Sequence, residues 1–217
     1  MCTAIIGPHP LTIRARSGNL LVKYENLILA AERLRRPESE EPMRIAPLPA
    51  AEWDDAVLGA LRLMPEERRN PTAAGNAIGT FVNHPDLTRS YLGFSFYLLT
   101  RSTLSPRLRE LAVLRVAHLT ACAYEWNEHT AIGAEAGLTE DDIAALQRGQ
   151  AADEFDRVVL AAVDELVEKT CVSDATWAAL GKRMNKRELM DFVFTIGGYH
   201  MLAMALNSFG VEPKKEN

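Results

Sequence analysis

The chain has 217 residues, 47% hydrophobic and 24% charged, with net charge −5. That balance excludes wholesale disorder and is enough to bury a full core without disulfide or metal staples. An acidic total with scattered Lys and Arg argues against a nucleic-acid partner, which would require a basic face to displace counterions.

Three cysteines, Cys2, Cys122 and Cys171, are too few and too far apart for a disulfide framework or a structural zinc site. Such sparse thiols suit a reducing cytoplasm. The start, MCTAIIGPHP, is interrupted by Gly7 and Pro8, short of a secretory core. The longest apolar run, Phe192 to Leu206, carries His200 and falls below the ~20 residues of a bilayer span. The expectation is a soluble, cytoplasmic chain with no membrane partner.

In chain order, the residues before Asn19 have no period and are expected to be poorly ordered. Leu20–Arg36 predicts a short helix whose Arg33, Arg35 and Arg36 complement its C-terminal dipole. PESEEP at 37–42 reads as a linker, so residues 1–42 are expected to be an extension and 43–217 the domain. Met43 is the alternative true start. Trp53, Val57, Leu61 and Met64 recur at helical steps over 51–63. Asn70-Pro71 is a cap-proline signal for a helix to about Val82. His84-Pro85 breaks it, and Asp86–Thr100 makes the next. Ser105-Pro106 repeats the signal for an apolar helix, Leu108 to about Thr120, followed by Tyr124–Ala136 closed by Gly137. Thr139 with Asp142 forms a capping box for a helix to Gln147. Asp153–Lys169, Ser173–Gly181 and a long final helix from about Lys186 to Ser208 complete the series. No apolar–polar alternation of strand length occurs. The fold is predicted to be all-α, a compact bundle of about eight helices.

The final helix is apolar nearly all round, which requires enclosure on every side. A domain of this size is hard pressed to supply that alone, so part of the helix is expected to face another subunit. Gly197-Gly198 cost roughly 1 kcal/mol each relative to Ala in mid-helix, and close backbone approach is the usual compensation.

One segment, residues 107–146, concentrates the chemistry. Glu110 opens a helix otherwise rich in Leu, Ala and Val, and Cys122, Glu125 and His129 follow at i, i+3 and i+7 on one face. Cys122 lies where backbone N–H groups and the dipole of the second helix favour a thiolate. Glu110 in apolar surroundings is expected to have a raised pKa. Bland readings stand beside these: Glu110 as a first-turn surface acid, Cys122 as a small core residue, and Glu125–His129 as a surface i,i+4 pair worth ~0.3–0.5 kcal/mol. Glu125 and His129 also match a two-ligand metal spacing, with no third ligand in sight, so no metal or cofactor is invoked. His118 reads as a core or interface histidine, Trp126 as packing, Glu128 as solvated, and Tyr199 and His200 as structural.

Glu110, Cys122, Glu125 and His129, with AYEWNEH, GLTEDDIAAL and GGYHMLAMALNSFG, resemble the carboxymuconolactone decarboxylase family, of which alkylhydroperoxidase D-type proteins are a branch. The likeness covers about residues 43–210. It implies a helical bundle of the alkylhydroperoxidase D-like type, a homo-oligomer (trimer or hexamer), a small-molecule substrate, and catalytic roles at those four positions. In the peroxidase branch a second cysteine stands where this chain has Glu125, so the two-cysteine cycle cannot close within the motif.

Two enzymatic readings result. The first is cofactor-free acid–base chemistry, decarboxylation or lactone-type, on a small organic acid. A histidine's ordinary pKa of ~6.5 suits His129 as proton donor, and Glu110 relays. Glu125 orients His129 or binds substrate, and Arg109, Arg115 or Arg101 meets the substrate carboxylate. The second is a peroxiredoxin-like thiol antioxidant using Cys122. A non-catalytic oligomer that binds a small acid is the third reading.

Overall fold

A computed structural model describes residues 43–213 of the chain. The expectations for residues 1–42, the helix at 20–36 included, fall outside these described residues. Among the described residues the regular structure is entirely helical: α1 Asp55–Ala60, α2 Gly75–Phe81, α3 Pro85–Thr100, α4 Pro106–Leu119, α5 Ala123–Glu135, α6 Glu140–Gln147, α7 Glu154–Lys169, α8 Asp174–Leu180 and α9 Lys186–Phe209, with 3-10 turns at Ala50–Glu52 and Glu66–Arg68.

Side-chain caps set most of these boundaries. Asp54, Ser105, Asp153 and Ser173 each accept a backbone N–H from the first turn of the helix they precede. The predicted box at Thr139/Asp142 is present, and Asn185/Glu188 makes a second one at the start of α9. The cap-proline signal at Asn70-Pro71 is the exception. Asn70 accepts from Thr72 and Ala73, but the chain makes only a turn there, because Gly75 takes φ 80° and α2 begins at that glycine.

The centre of the molecule is α4, in which every residue from Glu110 to Ala117 is buried. It packs on α5, α7 and α9, and Leu111, Leu114, Leu160, Phe192 and Ile196 lie in the resulting core. Each such side chain contributes about 1.5–3 kcal/mol by leaving water. A smaller cluster around Val57, Leu61, Val82 and Leu92 joins α1 to α3.

By length and composition alone α9 could cross a membrane: 24 residues, mean hydropathy 1.4, with 44% of its most apolar window buried inside the protein. It is longer than the apolar run in the sequence because polar Lys186–Asp191 belongs to the same helix. Asp191 is buried and fully engaged. Its Oδ1 accepts from the Tyr97 hydroxyl at 2.7 Å, and its Oδ2 accepts from the Thr103 backbone N–H at 2.6 Å and hydroxyl at 2.7 Å. The two glycines divide the helix. A Cβ on Gly198 would come within 2.9 Å of Leu98 and Phe94 on α3, whereas Gly197 faces open space.

Candidate active site

The turn between α4 and α5 places the first candidate residue. Thr120 ends α4, and Ala121 takes a left-handed φ of 50°. The Cys122 N–H then donates to the Ala117 carbonyl at 2.9 Å and the Ala121 N–H to that of His118 at 3.2 Å. This Schellman arrangement puts the residue after the left-handed position inward. Cys122 is therefore buried, 1% exposed, in a cluster with Ala77, Ala203 and Leu206. It is the N-cap of α5, but its side chain makes no cap bond.

Three turns along α5, Gly133 lies so close to α4 that a Cβ would meet Leu114 at 3.1 Å and approach Glu110 at 3.7 Å. That approach brings His129, one turn earlier on α5, onto Glu110. His129 Nδ1 and Glu110 Oε2 are 2.6 Å apart, with the carboxylate wholly buried. The other oxygen, Oε1, accepts from Arg109 Nε at 2.9 Å, and Arg109 Nη1 donates to the Leu99 carbonyl at 3.1 Å. Burial pushes Glu110 up, but the hydrogen bonds and charges of His129 and Arg109 outweigh it and hold the carboxyl below its ordinary value. The expectation of a raised Glu110 pKa is corrected on this point: its partners are closer than its sequence neighbours suggest. An ionised Glu110 accepts Nδ1–H, which leaves Nε2 of His129 as the proton-transfer atom. The Tyr199 ring meets the imidazole edge-on, 4.9 Å between centroids.

Glu125 does not orient His129. It is 1% exposed, and among the described residues neither oxygen meets a donor in hydrogen-bond geometry, the Cys122 thiol being the polar group that acts on it. Burial pushes its carboxyl up to about 8, with Cys122 acting in the opposite sense. The contrast with Asp191 is one of donors: burial raises both acids, but three hydrogen bonds return Asp191 below its ordinary value. The thiol follows Glu125 upward. Burial first, then the adjacent Glu125 charge, pushes Cys122 up to about 12, so the expectation of a stabilised thiolate is corrected too. The helix N-terminus is present, but desolvation outweighs it.

The Glu125 shift has a measurable consequence. The folded protein holds this proton more tightly than the unfolded chain, so stability is lost as pH rises from about 4.5 to about 8 and levels off above. Glu125→Gln is expected to remove that slope, by roughly 3–5 kcal/mol at about 1.4 per unit. In melting curves it should gain clearly on wild type at pH 9 and differ little at pH 4. An equal pH dependence of the two proteins would show that the carboxyl is not held neutral.

The three candidate arginines separate. Arg109 belongs to the site. Arg115 forks onto Asp164, Nε–Oδ1 2.7 Å and Nη2–Oδ2 2.9 Å, and also holds the Leu146 and Gln147 carbonyls. Arg101 lies over the Tyr97 ring, 5.6 Å from its centroid. His118, expected in the core or an interface, is exposed beside Trp126. Cys171 is exposed in the turn after α7, while Cys122 is buried. Among the described residues no three His, Cys, Asp or Glu side chains gather as a metal site. A residue that the sequence did not single out, Tyr91 on α3, is hydrogen-bonded to Ser95 and feels the charge of Glu125. Nothing in its spacing marks it.

The architecture is that of alkylhydroperoxidase D-like proteins. It resembles an Agrobacterium tumefaciens protein of unknown function described as a candidate antioxidant-defence AhpD protein (TM-score 0.58, 20% identity, 63% of this chain and 96% of that one). It also resembles a Ralstonia eutropha peroxidase-related protein with an alkylhydroperoxidase AhpD core (0.64, 18%, 81% and 94%), and a peroxidase-related protein from a Silicibacter species (0.66, 16%, 82% and 95%). The carboxymuconolactone decarboxylase family model matches residues 85–168, which contain Glu110, Cys122, Glu125 and His129. No curated protein matches it in sequence.

Proposed function

We propose that the protein performs cofactor-free acid–base chemistry, decarboxylation or a lactone-type reaction, on a small organic acid. The observation that carries this reading is the 2.6 Å Glu110–His129 contact in a buried site whose thiol is un-ionised. Loss of CO2 from a carboxylate β to a carbonyl, or vinylogous to a lactone, leaves an enolate, which must be stabilised and protonated. Arg109 fixes the Glu110 carboxylate, Glu110 fixes the His129 tautomer, and His129 Nε2 takes the carboxylic proton of the entering acid and returns it to the enolate carbon once CO2 has left. Glu125, neutral near pH 7, donates a hydrogen bond to the developing oxyanion. Release of CO2 from a panel of β-keto and lactone carboxylic acids tests the proposal. His129-dependent turnover of one member supports it, and turnover that is indifferent to His129→Ala sinks it.

The thiol-antioxidant alternative draws on the peroxidase-related names of the structural neighbours. Against it stands the buried, proton-retaining Cys122 with Glu125 in place of a resolving thiol.

The same proposal includes self-association. Met190, Phe194, Gly197, Met201 and Met204 run along α9 in 4-3-4-3 steps. The four side chains are 61%, 57%, 49% and 57% exposed, and Gly197 is open. That is the spacing of a helix–helix seam. Light scattering should give a mass well above 24.0 kDa at micromolar concentration, and Phe194→Lys with Met201→Lys should return it to the monomer. A wild-type monomer would contradict the assembly.

A further inference from the structure

The hydrogen bond that selects the His129 tautomer fixes one ring atom, and one atom does not fix a plane. The terminal torsion of a histidine side chain joins an sp3 to an sp2 carbon and has broad minima. The backbone of α5 therefore leaves the ring free to swing about the 2.6 Å contact with Glu110. Such a swing carries Nε2, on the far side of the ring, through an arc, whereas proton transfer requires it at hydrogen-bond distance from the reacting atom. A second support is needed, and a side chain on α9 has the geometry for it. Tyr199 packs against the imidazole with 4.9 Å between ring centroids and 87° between planes, an edge-to-face aromatic pair.

Tyr199 is itself held. It is 6% exposed and belongs to the same core as Leu111, Leu114, Phe192 and Ile196. At the preceding residue, Gly198, α9 presses on α3 so closely that a Cβ would come within 2.9 Å of Leu98 and Phe94. Its hydroxyl keeps its proton, because burial first and the charge of Glu110 second both push it up. The group is no acid at neutral pH, so its influence on the reaction passes through the ring beside it.

We infer that Tyr199 is a positioning residue for the proton-transfer step: its ring is the second support that holds the His129 imidazole with Nδ1 on Glu110 and Nε2 free for the substrate. The contact is made by the ring and not by the hydroxyl, so phenylalanine preserves it and an aliphatic side chain does not. The inference rests on the proposed function for what His129 does, and its first test needs no turnover.

Two-dimensional NMR spectra of the full chain that correlate the ring nitrogens of His129 with its ring protons report the tautomer directly. They are recorded at about pH 8, where an imidazole of ordinary pKa is neutral. Wild type and Tyr199→Phe are expected to show one tautomer, protonated at Nδ1. Tyr199→Leu is expected to move both nitrogen frequencies towards the average of the two tautomers, as the freed ring leaves Glu110 for part of the time. Tyr199→Met, which reaches further into the vacated space, carries the same expectation should the leucine variant fail to fold. On an acid that the protein turns over, Tyr199→Leu should lower kcat by about 10–10²-fold, the cost of a misplaced catalytic group, with KM within about threefold. It should lower nothing further in a His129→Ala background, since a residue that acts through another loses its effect when that other is gone. Nitrogen frequencies unchanged in the aliphatic variants, a phenylalanine variant that behaves like leucine, or a full Tyr199→Leu loss on top of His129→Ala would overturn the inference. Failure of the acid–base reading shows instead as turnover indifferent to His129, and leaves the tautomer result standing.

Discussion

His129→Ala is expected to lower turnover of an acid–base substrate by about 10²–10⁴-fold, the usual contribution of a positioned proton-transfer group. Cys122→Ser and Cys122→Ala should leave it within a few-fold of wild type. The two positions lie on the same helical segment, and the physics separates them. His129 is held by an ionised carboxylate at 2.6 Å, so its imidazole arrives at substrate in one tautomer. Cys122 is held by packing against Ala77, Ala203 and Leu206, and its thiol is pushed up to about 12. At pH 7 the buried thiol therefore keeps its proton, and the thiolate that a nucleophile needs is scarce. Serine there buries a hydroxyl in place of sulfur and should cost about 1–3 kcal/mol of stability, so Cys122→Ala is the cleaner comparison. Loss of activity in both cysteine variants with the fold intact would transfer the chemistry to sulfur.

Arg115→Met is expected to lower the melting temperature by roughly 5–15 °C, from a loss of about 2–4 kcal/mol, while the activity of the folded protein survives. Arg115 is 7% exposed and joins α4 to the end of α6 and to Asp164 on α7. Its removal strands the Leu146 and Gln147 carbonyls at a helix end, where donors are already scarce. Asp164, 40% exposed at its side chain, can turn to water, which keeps the loss below that of a wholly buried pair. Gly149 records how closely the guanidinium is packed: with φ 67°, a Cβ there would lie 3.0 Å from Arg115 Nη2. Unchanged melting with lost activity would instead make Arg115 a substrate cation.

The helices were legible because their ends carry chemistry that acts locally. Ser105-Pro106, Thr139 with Asp142, and the glycine after α5 specify where the backbone turns, whatever lies around them. The false start at Asn70 shows the limit, since a left-handed Gly75 five residues later overrides a sound cap signal. The four candidate residues were singled out by spacing and family resemblance, and neither carries their ionisation. Glu110 looked like a desolvated acid because its sequence neighbours are apolar, yet His129 lies nineteen positions away and Arg109 is the adjacent residue. Cys122 looked activated by a helix start, and what defeats that is the left-handed Ala121 turning the thiol into the core. Charge on a buried group is decided by partners that the fold supplies, and Glu125 shows the same rule where no partner is supplied.

The most direct measurement is peroxide consumption by the purified full chain at pH 7 with dithiothreitol as reductant, followed by mass spectrometry of Cys122. The expected result is no consumption above the blank and an unmodified Cys122 thiol, because buried sulfur that keeps its proton neither attacks peroxide nor meets a resolving thiol. Catalytic consumption that disappears in Cys122→Ala, with Cys122 trapped as a sulfenic acid, would contradict the acid–base account and make the protein a thiol peroxidase.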